Sequence, residues 1–286
     1  MNTIGIIGAG TMGNGIAYVA ASHGHDVIMY DVQLTLAQRG FDAIRAILQR
    51  HVEKKRIDEA EMQATLDRIQ LTADLGDMAR AVLVIEAVPE DLALKRDVFH
   101  SLDHICDPES LLCSNTSSLS ITALAGATKR PDQVAGLHFF NPAPMMALVE
   151  VVKGDRTSDT TIGYLVDLAR RWGKTPIVTR DTPGFIVNRI ARPFYSEALR
   201  LLDHQIADVE TIDRVVKAAG FKMGPFELLD LIGLDVNLAV TKSIYETYFH
   251  EPRFQPHPLQ QRMVDAGLLG RKSQRGFYEY PTENQP

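Results

Sequence analysis

The chain has 286 residues, 45% of them hydrophobic and 23% charged, and its 30 Lys and Arg against 36 Asp and Glu leave a formal net charge of −6. That suits one or two globular domains and excludes a disordered chain, while the acidic balance argues against nucleic acid as a partner. Two cysteines cannot build a disulfide framework, the opening MNTIGIIGAG lacks the basic start of a signal peptide, and no apolar run approaches ~18 residues, so a cytoplasmic protein away from membranes is expected.

Residues 3–7 (TIGII) read as a buried strand ending at Gly8, followed by a helix over 11–23 with Met12, Ile16, Val19 and Ala20 at helical spacing. A second strand, 26–30, ends at Asp31. Helices are expected over 34–56 and 59–68, strands over 82–86 and 111–113, and a helix over 91–103 between those strands. Further strands are expected at 134–138, 148–152 and 176–179, with a helix over 159–172. Strands alternating with helices predict an α/β fold with a mostly parallel sheet covered on both faces. After the turn signal DTPG at 181–184 the pattern becomes helical to about residue 269. Asp208 suits an N-cap, Gly220 a helix stop, Pro258 a first turn and Gly267 a helix end. Pro193 inside a helical run predicts a kink or a division.

Gly8-Ala9-Gly10-Thr11-Met12-Gly13 is GxGxxG between a predicted strand and a predicted helix. The first glycine permits the turn, the second lets the backbone approach a pyrophosphate, and the third lets helix pack on strand. The helix start offers unpaired N–H groups to phosphate. Asp31 ends the next strand, where a carboxylate accepts from a ribose 2′-OH and repels a 2′-phosphate; Val32 and Gln33 supply no arginine for one. The cofactor expected is NAD rather than NADP. His23 and His25, two residues apart around Gly24, read as a polar turn, and no metal site is expected.

Ser-Asn-Thr-Ser-Ser at 114–118 and His-Phe-Phe-Asn-Pro at 138–142 each follow a predicted strand, where open α/β sheets bind ligands. Most of these polar residues suit turn chemistry equally well. His138 ends an apolar strand, and Glu150 lies in the apolar run LVEVV. A buried Glu is costly unless paired, which makes a histidine on a neighbouring strand its natural partner, in a structural or a chemical role.

The segments GIIGAGTMGNGIA, SNTSSLSIT, GLHFFNPAPMMALVEVV, DTPGFIVNRI, GPFELLDLIGLD and GRKSQRGFYEY, in this order, resemble the 3-hydroxyacyl-CoA dehydrogenase family, including its short-chain 3-hydroxybutyryl-CoA enzymes. The resemblance spans essentially the whole chain. It implies a Rossmann-type, doubly wound NAD domain over residues 1–182 and an all-helical domain over 183–286 that binds substrate and forms a homodimer. It implies reversible NAD-dependent oxidation of L-3-hydroxyacyl-CoA to 3-oxoacyl-CoA, a step used in fatty acid metabolism among other pathways. By the same resemblance His138 is the general acid/base and Glu150 the acid that orients it. Ser117 and Asn188 hydrogen-bond the substrate's reacting oxygen, and Glu90, Lys95, Asn115, Asn141 and Lys272 lie on the cofactor side. Arg50, Lys54, Lys55 and Arg56 form a basic cluster with two readings, contacts to the CoA phosphates or a solvated helix face. Met145 and Met146 suit an acyl slot or plain loop packing. Competing functions are a free 3-hydroxy acid dehydrogenase, whose relatives use a lysine base, an idle crystallin-like structural protein, and an NAD-binding module. The last two have no use for an intact His138–Glu150 pair.

Overall fold

The structure, a computed structural model, describes residues 2–280. The chain divides into two compact units between Phe185 and Ile186. The first holds strands β1 (Thr3–Ile7), β2 (Asp26–Tyr30), β3 (Ile69–Thr72), β4 (Leu83–Glu86), β5 (Leu111–Ser114), β6 (Val134–Phe139), β7 (Leu148–Lys153) and β8 (Thr175–Arg180). They form one sheet in the order β3-β2-β1-β4-β5-β6-β7-β8. Every neighbouring pair is parallel except β6 and β7, which run antiparallel. Helices α1 (Thr11–Ser22), α2 (Leu34–Glu53), α3 (Glu59–Asp67), α4 (Leu92–Ile105), α5 (Ile121–Ala125) and α6 (Asp159–Arg171) make the connections. The first six strands follow the doubly wound dinucleotide-binding order, whose reversal between β1 and β4 opens a crevice at the strand carboxyl ends.

Successive strand side chains point to opposite faces, and the core splits accordingly. Ile4, Ile6, Ile85, Leu137 and Val151 pack with Ile16 of α1, Ile44 of α2 and Leu168 of α6. Ile7, Val84, Leu112 and Val152 pack on the other face with Phe99 and Leu102 of α4 and Leu124 of α5. The same alternation sends Glu86, Ser114, His138 and Glu150 to the α4–α5 face, at or near the strand ends.

Three local expectations change. β3 is an additional strand at the sheet edge; it follows α3 after Arg68 alone, with no turn signal between them. α2 ends at Glu53 rather than 56, because Lys55 adopts a left-handed φ of 54° that a helix cannot continue. Of the kink or division expected at Pro193, the division does not occur: the proline sits within one helix, α7 (Val187–Asp203). The proline removes a single backbone donor, and Tyr195, Ala198 and Leu199 just beyond it are buried in the core of the second unit.

That second unit continues with α8 (Val209–Ala218), α9 (Pro225–Ile232), α10 (Leu234–Thr247) and α11 (Pro258–Asp265). Asp208 caps α8 by accepting from Thr211 N at 2.8 Å. Two buried carboxylates organise the rest. Asp213 accepts from Phe226 N and Glu227 N at the start of α9, and Asp230 from Phe277 N and Tyr278 N, so the last described segment is tied to α9.

Candidate active site

The glycine turn meets the geometric demands of a dinucleotide. Gly8 has φ 94°, and a Cβ on Gly13 would lie 1.7 Å from Gly8 O, so helix and turn approach as only glycine allows. Gly10 is exposed and no side chain caps α1; its first turn, with Thr11 and Met12, carries no acidic residue. Its N–H groups and the positive end of its dipole are therefore available to an anion. Asp31 Oδ2 accepts from Ala9 N at 2.9 Å and Oδ1 from Val32 N at 2.8 Å. Each oxygen keeps lone-pair capacity for a ribose hydroxyl. These residues fit NAD.

His138 and Glu150 are register partners across β6 and β7. Nδ1 of His138 lies 2.7 Å from Glu150 Oε2, with the residues 4% and 0% exposed. A carboxylate only accepts, so the proton of this bond sits on Nδ1, and in the neutral ring Nε2 presents a lone pair. Nε2 lies 3.1 Å from Ser117 Oγ. Phe140 and Phe185 flank the ring at centroid distances of 4.6 and 5.8 Å.

A second polar layer supports the serine loop. Glu90 Oε1 accepts from Thr116 Oγ1 at 2.6 Å, Ser117 N at 3.0 Å and Ser118 N at 3.2 Å. Its other oxygen lies 3.5 Å from Lys95 Nζ. Lys95 is 1% exposed and donates to Glu86 Oε1 at 2.6 Å and Val88 O at 3.1 Å. Glu86, fully buried, also accepts from Val88 N and from Ser114 Oγ, each at 2.6 Å. Asn115 accepts from Phe139 N at 2.8 Å and so joins β5 to β6. The sheet unit thus links Glu90, Lys95, Ser117, His138 and Glu150 through hydrogen bonds and ion pairs. Asn141 is exposed, just past β6. Glu86 was not singled out from sequence; an acid ending a strand as apolar as VLVIE was the available signal.

Arg50 and Lys54, at the end of α2, line a cavity of about 850 Å³ with Tyr18, Pro144, Met145 and Lys174. Lys174 is a second residue missed from sequence. It is 9% exposed, and Nζ donates to Ala143 O, Met146 O and Pro144 O at 2.7, 2.9 and 3.3 Å. Burial lowers its pKa from the ordinary lysine value. It fixes residues 140–147, the link between the strands that carry His138 and Glu150.

Asn188 and Lys272 belong to the helical unit. Asn188 Oδ1 accepts from Arg192 Nη2 at 3.4 Å, and Lys272 Nζ donates to Asp235 Oδ2 at 2.5 Å. Arg192 is 4% exposed, and burial brings its guanidinium down to about 10. Nothing in the sequence distinguishes it from the other arginines of an amphipathic helix.

Comparison with known proteins identifies the family. Residues 3–182 match the family described as "3-hydroxyacyl-CoA dehydrogenase, NAD binding domain", and residues 184–280 match "3-hydroxyacyl-CoA dehydrogenase, C-terminal domain". The chain is 48% identical over 286 residues to a 3-hydroxyadipyl-CoA dehydrogenase of Escherichia coli; that covers all of this chain and 60% of the relative's length. It is 44% identical over 278 residues to a 3-hydroxybutyryl-CoA dehydrogenase of Bradyrhizobium diazoefficiens, covering 97% of this chain and 94% of that protein. The crystal structure of an (S)-3-hydroxybutyryl-CoA dehydrogenase from Ralstonia eutropha superposes with a TM-score of 0.94 at 42% identity, covering 99% of this chain and all of that one. The chain therefore belongs to the 3-hydroxyacyl-CoA dehydrogenase family and carries its NAD-binding domain.

Proposed function

We propose that the protein is an NAD-dependent L-3-hydroxyacyl-CoA dehydrogenase acting reversibly on short acyl chains, as the names of its relatives suggest. The observation that carries this reading is the His138–Glu150 pair with Ser117 on the free ring nitrogen, on the sheet that also carries the glycine turn. Oxidising a secondary alcohol requires a base for the hydroxyl proton while hydride leaves the same carbon. Nε2 of His138 takes that proton and returns it in the reverse direction. Glu150 holds the ring and stabilises the imidazolium formed. Ser117 and Asn188 hydrogen-bond the reacting oxygen as its charge changes.

NAD, when bound, supplies the hydride acceptor. The α1 N-terminus would take its phosphates and Asp31 its ribose, with Glu90, Asn115 and Asn141 near the strand ends beside them, while Lys95, buried against Glu86, supports Glu90 from behind. Arg50 and Lys54 give the cavity beside α2 a basic wall suited to the phosphates of CoA. In this reading residues 1–182 bind the cofactor, and residues 183–286 bind substrate and form a homodimer in the cytoplasm. The test is NADH consumption with 3-oxobutyryl-CoA, set against free 3-oxobutyrate. Turnover of the thioester is expected; absence of turnover, or a preference for the free acid, overturns the reading.

A further inference from the structure

Resting on the proposed dehydrogenase reading, we infer that Arg192 makes this protein selective for acyl chains that end in a second carboxylate. The guanidinium is buried and only partly satisfied. Nη1 is committed, donating to Asn237 O and Thr241 Oγ1, both at 2.9 Å. Nε has no partner, and Nη2 makes one long bond, 3.4 Å to Asn188 Oδ1. Nε–H and Nη2–H form the edge of a guanidinium that grips a carboxylate through two parallel bonds. That edge is the one left open, on the side of Asn188.

A second donor in the same cluster also lacks an acceptor. Asn237 is 2% exposed; its Oδ1 accepts from Gln260 Nε2 at 3.1 Å, and its Nδ2 has no partner. The cluster therefore holds a buried cation and two unpaired N–H groups. Among the described residues no Asp or Glu forms an ion pair with the guanidinium, and the Tyr195 ring lies 5.1 Å from it. A buried charge without a counter-ion is costly. Tying α7 to α10 accounts for Nη1 but leaves the bidentate edge unexplained, whereas a ligand carboxylate accounts for that edge.

Asn188 and Arg192 are one helical turn apart on α7, and Asn188 Oδ1 lies 3.4 Å from Nη2. In the proposed reaction Asn188 faces the oxygen on C3, so the unpartnered edge of Arg192 lies beside the acyl chain beyond that carbon.

The test compares kcat/KM for 3-oxoadipyl-CoA and 3-oxohexanoyl-CoA, which share a chain length and differ in the terminal charge. The natural protein is expected to favour the diacid at least tenfold, and Arg192→Met to reduce that ratio at least tenfold, with Arg192→Lys intermediate. A ratio near one in the natural protein, or an Arg192→Met loss equal for both substrates, overturns the inference while leaving the dehydrogenase reading intact. If neither thioester turns over, the dehydrogenase reading falls. Calorimetric binding of adipyl-CoA against hexanoyl-CoA to the natural protein then decides the carboxylate preference by itself, as it does if the variants fail to fold; equal affinities overturn it.

Discussion

Lys95→Met breaks the buried ion pair behind the serine loop. Lys95 and Glu86 are 1% and 0% exposed, so removing the ammonium strands a carboxylate that water cannot reach. Breaking a buried pair from one side costs about 3–5 kcal/mol. Glu86 keeps bonds from Val88 N and Ser114 Oγ, each at 2.6 Å, which places the loss at the lower end, about 3 kcal/mol. At roughly 2–4 °C per kcal/mol, melting of the sheet unit falls by about 6–12 °C. The chain's single tryptophan, Trp172, is 2% exposed in that unit against Phe139, so its fluorescence during urea titration reports this unit. The double variant Lys95→Met/Glu86→Gln removes the stranded charge and is expected to recover at least about 1 kcal/mol relative to Lys95→Met. A single-variant loss below about 1 kcal/mol, or a double variant less stable than Lys95→Met, would refute the reasoning.

Three further outcomes are expected. His138→Ala lowers kcat by ~10²–10⁴ while NADH binding, followed by fluorescence titration, stays unchanged; near-normal turnover removes the base assignment. NADH supports turnover far better than NADPH, since the Asp31 carboxylate repels a 2′-phosphate; a preference for NADPH in parallel kinetics contradicts this. Lys174→Met leaves three loop carbonyls without their shared donor and is expected to destabilise the sheet unit by about 2–4 kcal/mol. It also raises KM for 3-oxobutyryl-CoA with little change in NADH affinity, and unchanged KM in a folded variant limits Lys174 to a stabilising part.

The features legible in the sequence were those with a local signature. The glycine turn, the acid ending β2 and the alternation of apolar runs with helices each follow from short-range physics, and the order of motifs carried the family. β3 was missed because four residues directly after a capped helix leave no room for punctuation. Glu86, Lys174 and Arg192 were missed for another reason. Each is an ordinary charged residue until the fold buries it, and burial of a single polar side chain is settled by distant partners: Lys95 for Glu86, three carbonyls for Lys174, and α10 for Arg192.

The pairing of His138 with Glu150 is specified largely by residues that do no chemistry. On β6 and β7 the alternate positions Leu137, Phe139, Val149 and Val151 belong to the core with α1 and α6. A slip of β7 by one residue would turn Val149 and Val151 to the α4–α5 face and force Glu150 among the aliphatic side chains packed on α1 and α6, so the apolar set fixes which residues face each other. An antiparallel pair is joined by a short link, and here residues 140–147 do so with Lys174 holding three of their carbonyls. A parallel neighbour would need a crossover of a dozen residues or more, and the separation of 12 between His138 and Glu150 leaves none to spare. The single reversal of strand direction in the sheet is thus what brings an imidazole and its orienting acid into register.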